Sequence, residues 1–290
     1  MEERFDTWAA GDGYERYMGR WSRLVADAFA ASLDVGPRAR WIDAGGGTGA
    51  LARAGAARCR PRLVLGVDRS AAFVAAARAT APGTAAFAVA DAQALPVRDG
   101  ACDAVVSGLA LNFLPAPGAA AVEAARAVRP GGLVAAYVWD YAEGMGLLRR
   151  FWDAAAAVDP SAAALDEGRR FPLCRPEPLR ALWTGAGLTA VEVVLVEVPT
   201  VFTGFADLWD PFLAGQGPAP GYVASLAPAA RRRLRDTLAG ALPARRDGSI
   251  ALTARAWAVS GRRTGRRTGP SPACGRQGAA GAGPSPGTRC

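Results

Sequence analysis

Short apolar segments alternate with alanine-rich segments through the first half of the chain. Five apolar segments have the length and composition of buried β-strands, and they begin near residues 40, 63, 85, 102 and 133. The residues between them are rich in alanine or place apolar side chains at helical spacing. A regular alternation of strands and helices predicts a doubly wound α/β fold, in which helices cover both faces of a mainly parallel sheet.

An amphipathic helix is predicted ahead of the first strand. Leu24, Val25 and Phe29 lie at helical spacing, and Gly36-Pro37 ends the segment. A helical segment of this length ahead of the first strand is typical of a cap that covers a ligand site. We therefore predict that residues 1–39 form a helical cap. An ordinary packing helix fits the same pattern.

The segment 261–290 differs in composition from the rest of the chain. It contains Gly-Arg-Arg-Thr twice and then mostly glycine, alanine, proline and serine. Because it has too few apolar side chains to form a core, we predict a disordered basic tail. It holds six arginines and no acidic residue, so the formal charge of +8 falls to +2 for the remaining residues. A nucleic-acid-binding surface is therefore not expected on the folded part.

The overall composition is that of a globular protein. The chain has 290 residues, of which 51% are hydrophobic, enough to build a large core. No apolar run reaches the roughly 20 residues of a membrane helix. The segment Met1-Glu2-Glu3-Arg4 is charged and lacks the apolar stretch of a signal peptide. We therefore expect a cytoplasmic protein without a membrane span.

Histidine and lysine are both missing from the chain. Their absence excludes a Ser-His-Asp triad, a Cys-His pair, histidine metal ligands and a Schiff-base lysine. The five cysteines are far apart and form no C-x-x-C motif, so neither a disulfide framework nor a metal site is predicted. Any general base must be a carboxylate, a tyrosine, a cysteine or the substrate itself.

The first predicted strand runs directly into a cluster of glycines, within the stretch 40–51. A strand, a glycine turn and a helix start together form the nucleotide-binding unit of open α/β folds. The spacing Gly45-x-Gly47-x-x-Ala50 fits a loose dinucleotide pattern. The spacing Asp43-x-Gly45-x-Gly47-x-Gly49 fits the acidic pattern of S-adenosylmethionine (SAM) methyltransferases, and a tight turn without a ligand is the third interpretation.

Polar or aromatic residues stand at the ends of all five predicted strands. Because the carboxyl ends of parallel strands meet at one edge of the sheet, these residues are expected on the ligand-binding edge. Asp68 can accept bonds from both ribose hydroxyls, or it or Ser70 can cap the next helix. Asp91 can accept a bond from an adenine amino group, which a pyrophosphate would not use. The full set is Asp43, Asp68, Asp91, Ser107 and Trp139.

The ordered motifs give the chain a family resemblance over residues 40–140. Asp43-x-Gly45-x-Gly47-x-Gly49, Gly66-Val67-Asp68, Asp91-Ala92, Asp103-x-Val-Val and Arg129-Pro130-Gly131-Gly132 resemble a class I SAM-dependent methyltransferase. The branch that the chain resembles is the ubiquinone/menaquinone-type small-molecule methyltransferases.

That resemblance implies SAM as the cofactor and assigns a role to each motif. The glycines would line the methionine end with Asp43 nearby, and Asp68 would bind the ribose. Asp91 and Ala92 would lie at the adenine, and Ser107 near the sulfonium. The implied cofactor-binding residues are Asp43, Gly45, Gly47, Gly49, Asp68, Arg69, Asp91, Ala92 and Ser107.

The family fold also implies two more strands after the fifth. Residues 175–186 suit the preceding helix, 188–198 the sixth strand, and 249–260 a seventh, antiparallel strand because apolar side chains alternate there. This makes residues 40–260 one SAM-binding domain. Two inserts, 143–173 and 202–243, would cover the substrate side or be additional scaffold helices.

The leading functional hypothesis is methyl transfer from SAM to a small, apolar or aromatic acceptor. Aromatic side chains are expected at the mouth of the site, and Tyr141, Asp140 and Glu143 are the candidate bases. A nicotinamide oxidoreductase is disfavoured by the acidic residues at positions 43 and 91. A non-catalytic binding or regulatory protein with the same fold stays open. The predicted mouth residues are Trp139, Tyr141, Phe151, Trp152 and Trp209.

Overall fold

A computed structural model of the protein describes residues 15–214 and 217–265. Its centre is a seven-stranded sheet with the order β3-β2-β1-β4-β5-β7-β6. Strand β7 runs antiparallel to both of its neighbours, and the pairs among the first five strands are parallel. The strands are β1 Arg40–Ala44, β2 Leu63–Asp68, β3 Ala85–Val89, β4 Cys102–Gly108, β5 Val128–Trp139, β6 Leu188–Phe202 and β7 Ile250–Arg263.

Helices connect the strands and cover both faces of the sheet. A π-helical turn, Glu15–Gly19, leads into the first α-helix. The α-helices are α1 Arg20–Ser32, α2 Ala50–Cys59, α3 Ala71–Ala79, α4 Pro117–Ala127, α5 Gly146–Val158, α6 Glu167–Arg170, α7 Pro176–Gly185, α8 Phe205–Trp209, α9 Pro218–Ser225 and α10 Pro228–Ala241. The doubly wound α/β class predicted from the alternating pattern is confirmed.

The two faces of the sheet belong to two separate hydrophobic clusters. Along β5, Leu133, Tyr137 and Trp139 pack on one side, whereas Val134 and Val138 pack on the other. Successive side chains of a strand point to opposite faces, so this alternation assigns each helix to a layer. Helices α1, α2, α3, α5 and α10 contribute to the first cluster, and α4 and α7 contribute to the second.

The predicted boundary of the C-terminal tail at residue 261 is wrong. Strand β7 continues to Arg263, so residues 261–263 belong to the sheet. Arg263 donates hydrogen bonds to the carbonyl oxygens of Arg126 and Val128, at 2.7 and 2.6 Å. Arg262 pairs with Asp34 at 2.6 Å. These contacts join the end of β7 to the end of α4, to the start of β5 and to the loop after α1. Residues 266–290 of the predicted tail lie outside the described range.

Both predicted inserts are helical. The first contains α5 and α6, and the second contains α8, α9 and α10. Helix α5 packs against α10, so the two inserts form one layer on the face that also carries α1. Within the described ranges, no helix has the length and apolar character needed to cross a membrane.

Candidate functional site

The glycine turn after β1 brings three backbone segments together at the carboxyl edge of the sheet. The N–H groups of Gly45 and Gly46 donate to the carbonyl of Val67, at 2.8 and 2.9 Å. Gly45 has a φ of +75°, and a Cβ there would lie 2.5 Å from the Cβ of Ala110. A larger residue would therefore both strain the turn and push away the loop that follows β4.

A cavity of about 230 Å³ opens beside this turn. One half is lined by the glycine turn and by the residues that end β2 and β3. The other half is lined by the loop after β4, the end of β5 and the N-terminal segment.

Asp43 is a buried carboxylate that faces the cavity. Its side chain is 0% exposed, and neither oxygen makes a well-formed hydrogen bond within the described part of the chain. Burial and the nearby charge of Asp68 raise the pKa of Asp43 to about 7, although the backbone N–H of Ala52 acts in the opposite direction. A buried carboxylate without a partner is costly, so this position calls for a cationic or hydrogen-bond-donating ligand.

Asp68, the last residue of β2, also lines the cavity and already holds the turn in place. One oxygen accepts from the N–H of Gly47 at 3.0 Å, and the other accepts from the N–H of Ser70 at 2.8 Å. The helix cap is Ser70, whose hydroxyl accepts from the N–H of Phe73 at 3.3 Å. Each Asp68 oxygen retains a lone pair, so the carboxylate can still accept bonds from a ligand's hydroxyls.

The N-terminal segment covers the cavity and contacts the glycine turn. Met18 and Ser22 are lining residues. Glu15 accepts a hydrogen bond from the hydroxyl of Thr48 at 2.7 Å, and it also pairs with Arg23. Helix α1 packs against α2 and, through Phe29, against Tyr137 at 4.7 Å between ring centroids. The segment is thus both a packing element and a border of the site.

Residues 42–136 match the family model described as a methyltransferase domain. This part of the chain is similar to a methyltransferase domain. The matched range begins in β1 and ends in β5, so it contains the glycine turn, Asp43 and Asp68. The resemblance of the motifs to class I methyltransferases is confirmed.

A curated relative of part of the chain is named as a methyltransferase. A malonyl-[acyl-carrier protein] O-methyltransferase from Marinomonas is 29% identical over 136 residues, which is 46% of this chain and 49% of that protein. The alignment therefore spans about half the length of this curated relative.

Two solved structures share the fold. The YcgJ protein from Bacillus subtilis is 15% identical with a TM-score of 0.52, and the match covers 83% of this chain and 98% of that one. Phosphoethanolamine N-methyltransferase 2 from Haemonchus contortus, in complex with phosphomonomethylethanolamine and S-adenosylhomocysteine, is 18% identical with a TM-score of 0.52. That match covers 88% of this chain and 57% of that one.

Some of the other residues expected at the cofactor line the cavity, and others lie outside its lining. Gly45, Gly47, Arg69 and Ala92 line the cavity together with Asp43 and Asp68. Asp91 is not a lining residue, and its carboxylate accepts bonds from the backbone N–H and the side-chain amide of Gln93. These bonds lower the pKa of Asp91.

Two further residues that were predicted at the cofactor are absent from the lining of the cavity. Gly49 starts α2 with a φ of +84° and is not a lining residue. Ser107 borders a smaller cavity of about 20 Å³ on the opposite face of the sheet, beside Leu111 and Ala136. Its hydroxyl is buried and has no hydrogen-bond partner among the described residues.

The wall opposite the glycine turn is mainly aromatic and apolar. Trp139 and Tyr141, which were expected at the mouth, line the cavity together with Phe113, Leu114 and Tyr137. Sequence reasoning did not single out Met18, Ser22, Phe113 or Tyr137 as site residues. In the sequence, only their position pointed to the site, because each lies in the N-terminal helical segment or near the carboxyl end of a strand.

The other three aromatic residues expected at the mouth are not lining residues. Phe151, Trp152 and Trp209 are all buried in the helical layer. The Phe151 ring stacks on Phe212 with centroids 4.6 Å apart, and Trp152 meets Tyr222 at 5.8 Å. These side chains form a packed aromatic core behind the cavity, which agrees with the scaffold interpretation of the inserts.

Leu109 adds strained backbone to the cavity wall. It follows β4 with a φ of +60°, a conformation that side chains other than glycine adopt rarely. Its N–H donates to the carbonyl of Tyr137 at 2.8 Å, which holds the loop over the end of β5. Such strain persists only where the surrounding structure enforces it, and it is concentrated at ligand sites.

Proposed function

We propose that the protein transfers a methyl group from SAM to a small, neutral acceptor with an apolar or aromatic body. The observation that carries this proposal is Asp43, because its buried, unpartnered carboxylate faces the cavity at the end of β1. The ammonium group of SAM would satisfy that carboxylate. A dinucleotide pyrophosphate would be repelled by it.

Three sets of residues support the binding of SAM at this position. Gly47 has no side chain and no neighbour within 4 Å of a Cβ position, so the turn leaves room for a ligand. Asp68 would accept bonds from the ribose hydroxyls, with Arg69 beside it. Ala92 would lie against the adenine. The carboxylate of Asp91 would reach the adenine only if it gave up its hydrogen bonds with Gln93.

The half of the cavity in which the acceptor would bind is suited to an uncharged molecule. Among the described residues, the charged ones that line the cavity are Asp43, Asp68 and Arg69, and all three belong to the proposed cofactor half. The opposite wall, formed by Phe113, Trp139 and neighbouring residues, offers apolar and aromatic surface on which a flat molecule can stack.

The residues of this chain would position the reactants and exclude water. When bound, SAM supplies a methyl carbon that its sulfonium has already activated. Asp43 and Asp68 would fix the two ends of the cofactor, and the aromatic wall would orient the acceptor. Met18 and Ser22 of the N-terminal segment border the cavity and would limit the access of solvent to the reactants.

A nicotinamide oxidoreductase is the alternative function, and binding measurements distinguish it from a methyltransferase. S-adenosylhomocysteine should stabilise the protein by about 2.7 kcal/mol at a hundredfold excess over Kd, and NAD should not. Thermal denaturation with each ligand tests this directly. A larger shift with NAD than with S-adenosylhomocysteine would overturn the proposal.

The acceptor class is tested with labelled SAM and a panel of acceptors. We expect transfer to phenols or other small aromatic molecules. Methylation confined to oligonucleotides or peptides would contradict a small-molecule acceptor. Binding of S-adenosylhomocysteine without transfer to any acceptor would instead favour a non-catalytic role for the fold.

A further inference from the structure

One aromatic side chain of the first insert differs from the others in what it contacts. Phe151 and Trp152 pack within the helical layer. Phe171, which follows α6, instead packs against two rings that line the cavity. It is 8% exposed and is not itself a lining residue. Phe171 therefore lies directly behind the aromatic wall.

The two rings in contact with Phe171 belong to separate parts of the wall. Phe113 ends the 3₁₀ turn Leu111–Phe113 after β4, and its ring centroid lies 5.2 Å from that of Phe171 with 75° between the planes. Tyr141 follows β5, and its ring centroid lies 5.8 Å from that of Phe171 at 55°. Edge-to-face and tilted pairs at such distances are attractive and depend on geometry. The Phe171 ring thus joins the loop after β4 to the end of β5.

Further contacts fix Phe171 itself. The guanidinium carbon of Arg170 lies 5.3 Å from the centroid of the ring, a distance at which a cation is attracted to an aromatic ring. The N–H of Phe171 donates to the carbonyl of Glu167 at 2.9 Å, and its own carbonyl accepts from the N–H of Cys174 at 3.3 Å. Both the ring and the backbone of this residue are therefore held in place.

Helix α6, which precedes Phe171, is attached to α5 through two buried carboxylates. Asp166 accepts from the N–H of Gly168 at 2.8 Å and from the guanidinium of Arg149 at 2.8 Å. The indole N–H of Trp152 donates to Glu167. Both carboxylates are largely shielded from water, which strengthens these bonds. The first insert is thus a firm support for Phe171.

The same helix packs against the backbone that carries Tyr141. A Cβ on Gly168 would lie 2.6 Å from the carbonyl oxygen of Tyr141 and 2.9 Å from the Cα of Ala142. Because protein interiors are close-packed, a larger residue here would displace one of the two segments. The position of Tyr141 therefore depends on α6 as well as on β5.

The space in front of the aromatic wall is limited. The cavity measures about 230 Å³, whereas pockets for drug-sized ligands measure roughly 300–1,000 Å³. If the proposed methyl transfer is correct, the cavity holds both the cofactor and the acceptor. A small displacement of the wall would then change which acceptors fit.

We propose that Phe171 determines the size of the acceptor, because it holds the rings of Phe113 and Tyr141 where they admit a molecule with a single aromatic ring. This inference rests on the proposed methyl transfer and narrows its acceptor to single-ring compounds. Phe171 acts through two lining residues, so it is a positioning residue. The first insert thereby controls specificity from behind the cavity.

The direct test measures binding of phenol and 2-naphthol to protein loaded with S-adenosylhomocysteine, by isothermal titration. Both probes are uncharged at neutral pH, because such hydroxyls, like that of tyrosine, ionise near pH ~10. The second ring of 2-naphthol adds apolar area, which by itself would strengthen binding. We nevertheless expect the wild type to bind phenol at least tenfold more tightly than 2-naphthol.

Phe171→Ala should reverse this preference. Loss of the ring opens space behind Phe113 and Tyr141, so phenol binding should weaken severalfold and 2-naphthol binding should strengthen at least tenfold. Phe171→Leu, which keeps much of the side-chain volume, should retain part of the preference for phenol. The matched control is Phe205→Ala, which should leave both affinities unchanged. Phe205 is a half-buried ring of the second insert that stacks on Trp209 at 6.1 Å and does not line the cavity.

Gly168→Ala tests the support of Tyr141 without removing a ring. The added methyl group should displace the backbone of Tyr141 and weaken phenol binding severalfold. Gly240→Ala makes the same change in helix α10, where a Cβ would have no neighbour within 4 Å, and should have no effect. Affinity for S-adenosylhomocysteine should stay close to the wild-type value in all of these variants, which shows that each has folded.

Turnover with labelled SAM gives a second readout of specificity. The ratio of kcat/KM for 2-naphthol to kcat/KM for phenol should rise at least tenfold in Phe171→Ala. A loss of folded protein lowers both values equally and leaves this ratio unchanged, so the ratio separates a role in specificity from a purely structural one.

The possible failures are distinguishable. If the wild-type protein does not bind S-adenosylhomocysteine, the proposed function itself fails. If it binds S-adenosylhomocysteine but binds 2-naphthol as tightly as phenol, or binds neither probe, the size limit is wrong. Equal losses of both affinities in Phe171→Ala, or no change, would make Phe171 an ordinary core residue. If Phe171→Ala does not fold, a wild-type preference in Phe171→Leu together with unchanged phenol binding in Gly168→Ala would overturn the inference.

Discussion

The carboxylate of Glu15 accepts a hydrogen bond from the hydroxyl of Thr48 at 2.7 Å, which ties the N-terminal segment to the glycine turn. A second tie lies farther along the same segment, where Arg20 pairs with Asp207 of α8 at 3.0 Å. The N-terminal segment is therefore held at two places, by the glycine turn through Thr48 and by the second insert through Asp207.

The first prediction concerns Thr48. Hydrogen bonds to charged groups contribute roughly 1.5–3 kcal/mol, and about 1.4 kcal/mol corresponds to a tenfold change in an equilibrium constant. Thr48→Val should therefore speed the dissociation of S-adenosylhomocysteine by about tenfold, as measured by stopped-flow. Thr48→Ser, which keeps the hydroxyl, should resemble the wild type. Equal rates in all three proteins would show that the segment does not retain the cofactor.

The second prediction concerns Asp43. Asp43→Asn removes an unpaired buried charge, so the ligand-free protein should melt at a higher temperature at pH 8 than the wild type. The affinity for S-adenosylhomocysteine should nevertheless fall at least tenfold, because the charge partner of the ligand's ammonium is lost. Calorimetry that shows unchanged affinity in the folded variant would disprove this role.

The raised pKa of Asp43 predicts how the stability of the folded protein changes with pH. Its pKa is raised from 3.8 to about 7 in the folded state, so the folded protein binds more protons than the unfolded chain between these values. This carboxyl therefore contributes less stability as pH rises from about 4 to about 7. The Asp43→Asn protein should gain in melting temperature relative to wild type over that range. A constant difference would indicate that Asp43 is not ionising there.

A third prediction compares two acidic residues at neighbouring strand ends. Asp68→Asn disturbs a carboxylate that faces the cavity, so affinity for S-adenosylhomocysteine should fall at least tenfold. Asp91→Asn makes the same change outside the lining, where Gln93 occupies the carboxylate, and its loss should be smaller. Isothermal titration of both variants decides the order, and a larger loss for Asp91→Asn would place Asp91 at the adenine.

A fourth prediction concerns the two arginines at the end of β7. Truncation after Gly265 should leave the melting temperature unchanged, because the removed residues have no apolar pattern. Truncation after Gly261 also removes Arg262 and Arg263, and with them the bonds to Asp34 and Val128. A loss of about 1–3 kcal/mol would lower the melting temperature by several degrees. Equal melting curves would show that these bonds contribute nothing.

The sequence contained enough information to predict the succession of strands along the chain and the position of Asp43 and Asp68 at one edge of the sheet. Asp43 and Asp68 follow buried strands directly, and the parallel arrangement brings both to one edge. A strand end does not by itself say which face a side chain occupies. Asp43 pairs in register with Val106, so the next residue, Ser107, points to the opposite face. Because Ser107 is one residue beyond the strand partner of Asp43, its side chain lies outside the cavity.

The aromatic wall of the cavity was harder to predict because its residues come from distant and irregular segments. Phe113 stands in a three-residue 3₁₀ turn, Leu111–Phe113, that has no hydrophobic period to mark it. The aromatic residues of α5 were visible in the sequence, yet helical spacing alone cannot tell a core side chain from a ligand contact. Trp152 and Phe151 turn inward because their face of the helix packs against other helices.

The position of β7 in the sheet has a consequence for how the protein folds. It is the last strand along the described chain, but it lies between β5 and β6, and it pairs residue 262 with residue 133. Until β7 is in place, β6 has no partner in the sheet, and it carries the exposed side chains Val194, Leu195 and Val201. Such long-range pairing is slow to form, and an unpaired apolar strand is a template for association. Refolding should therefore become less efficient as protein concentration rises, with β6 as the segment that captures a second chain.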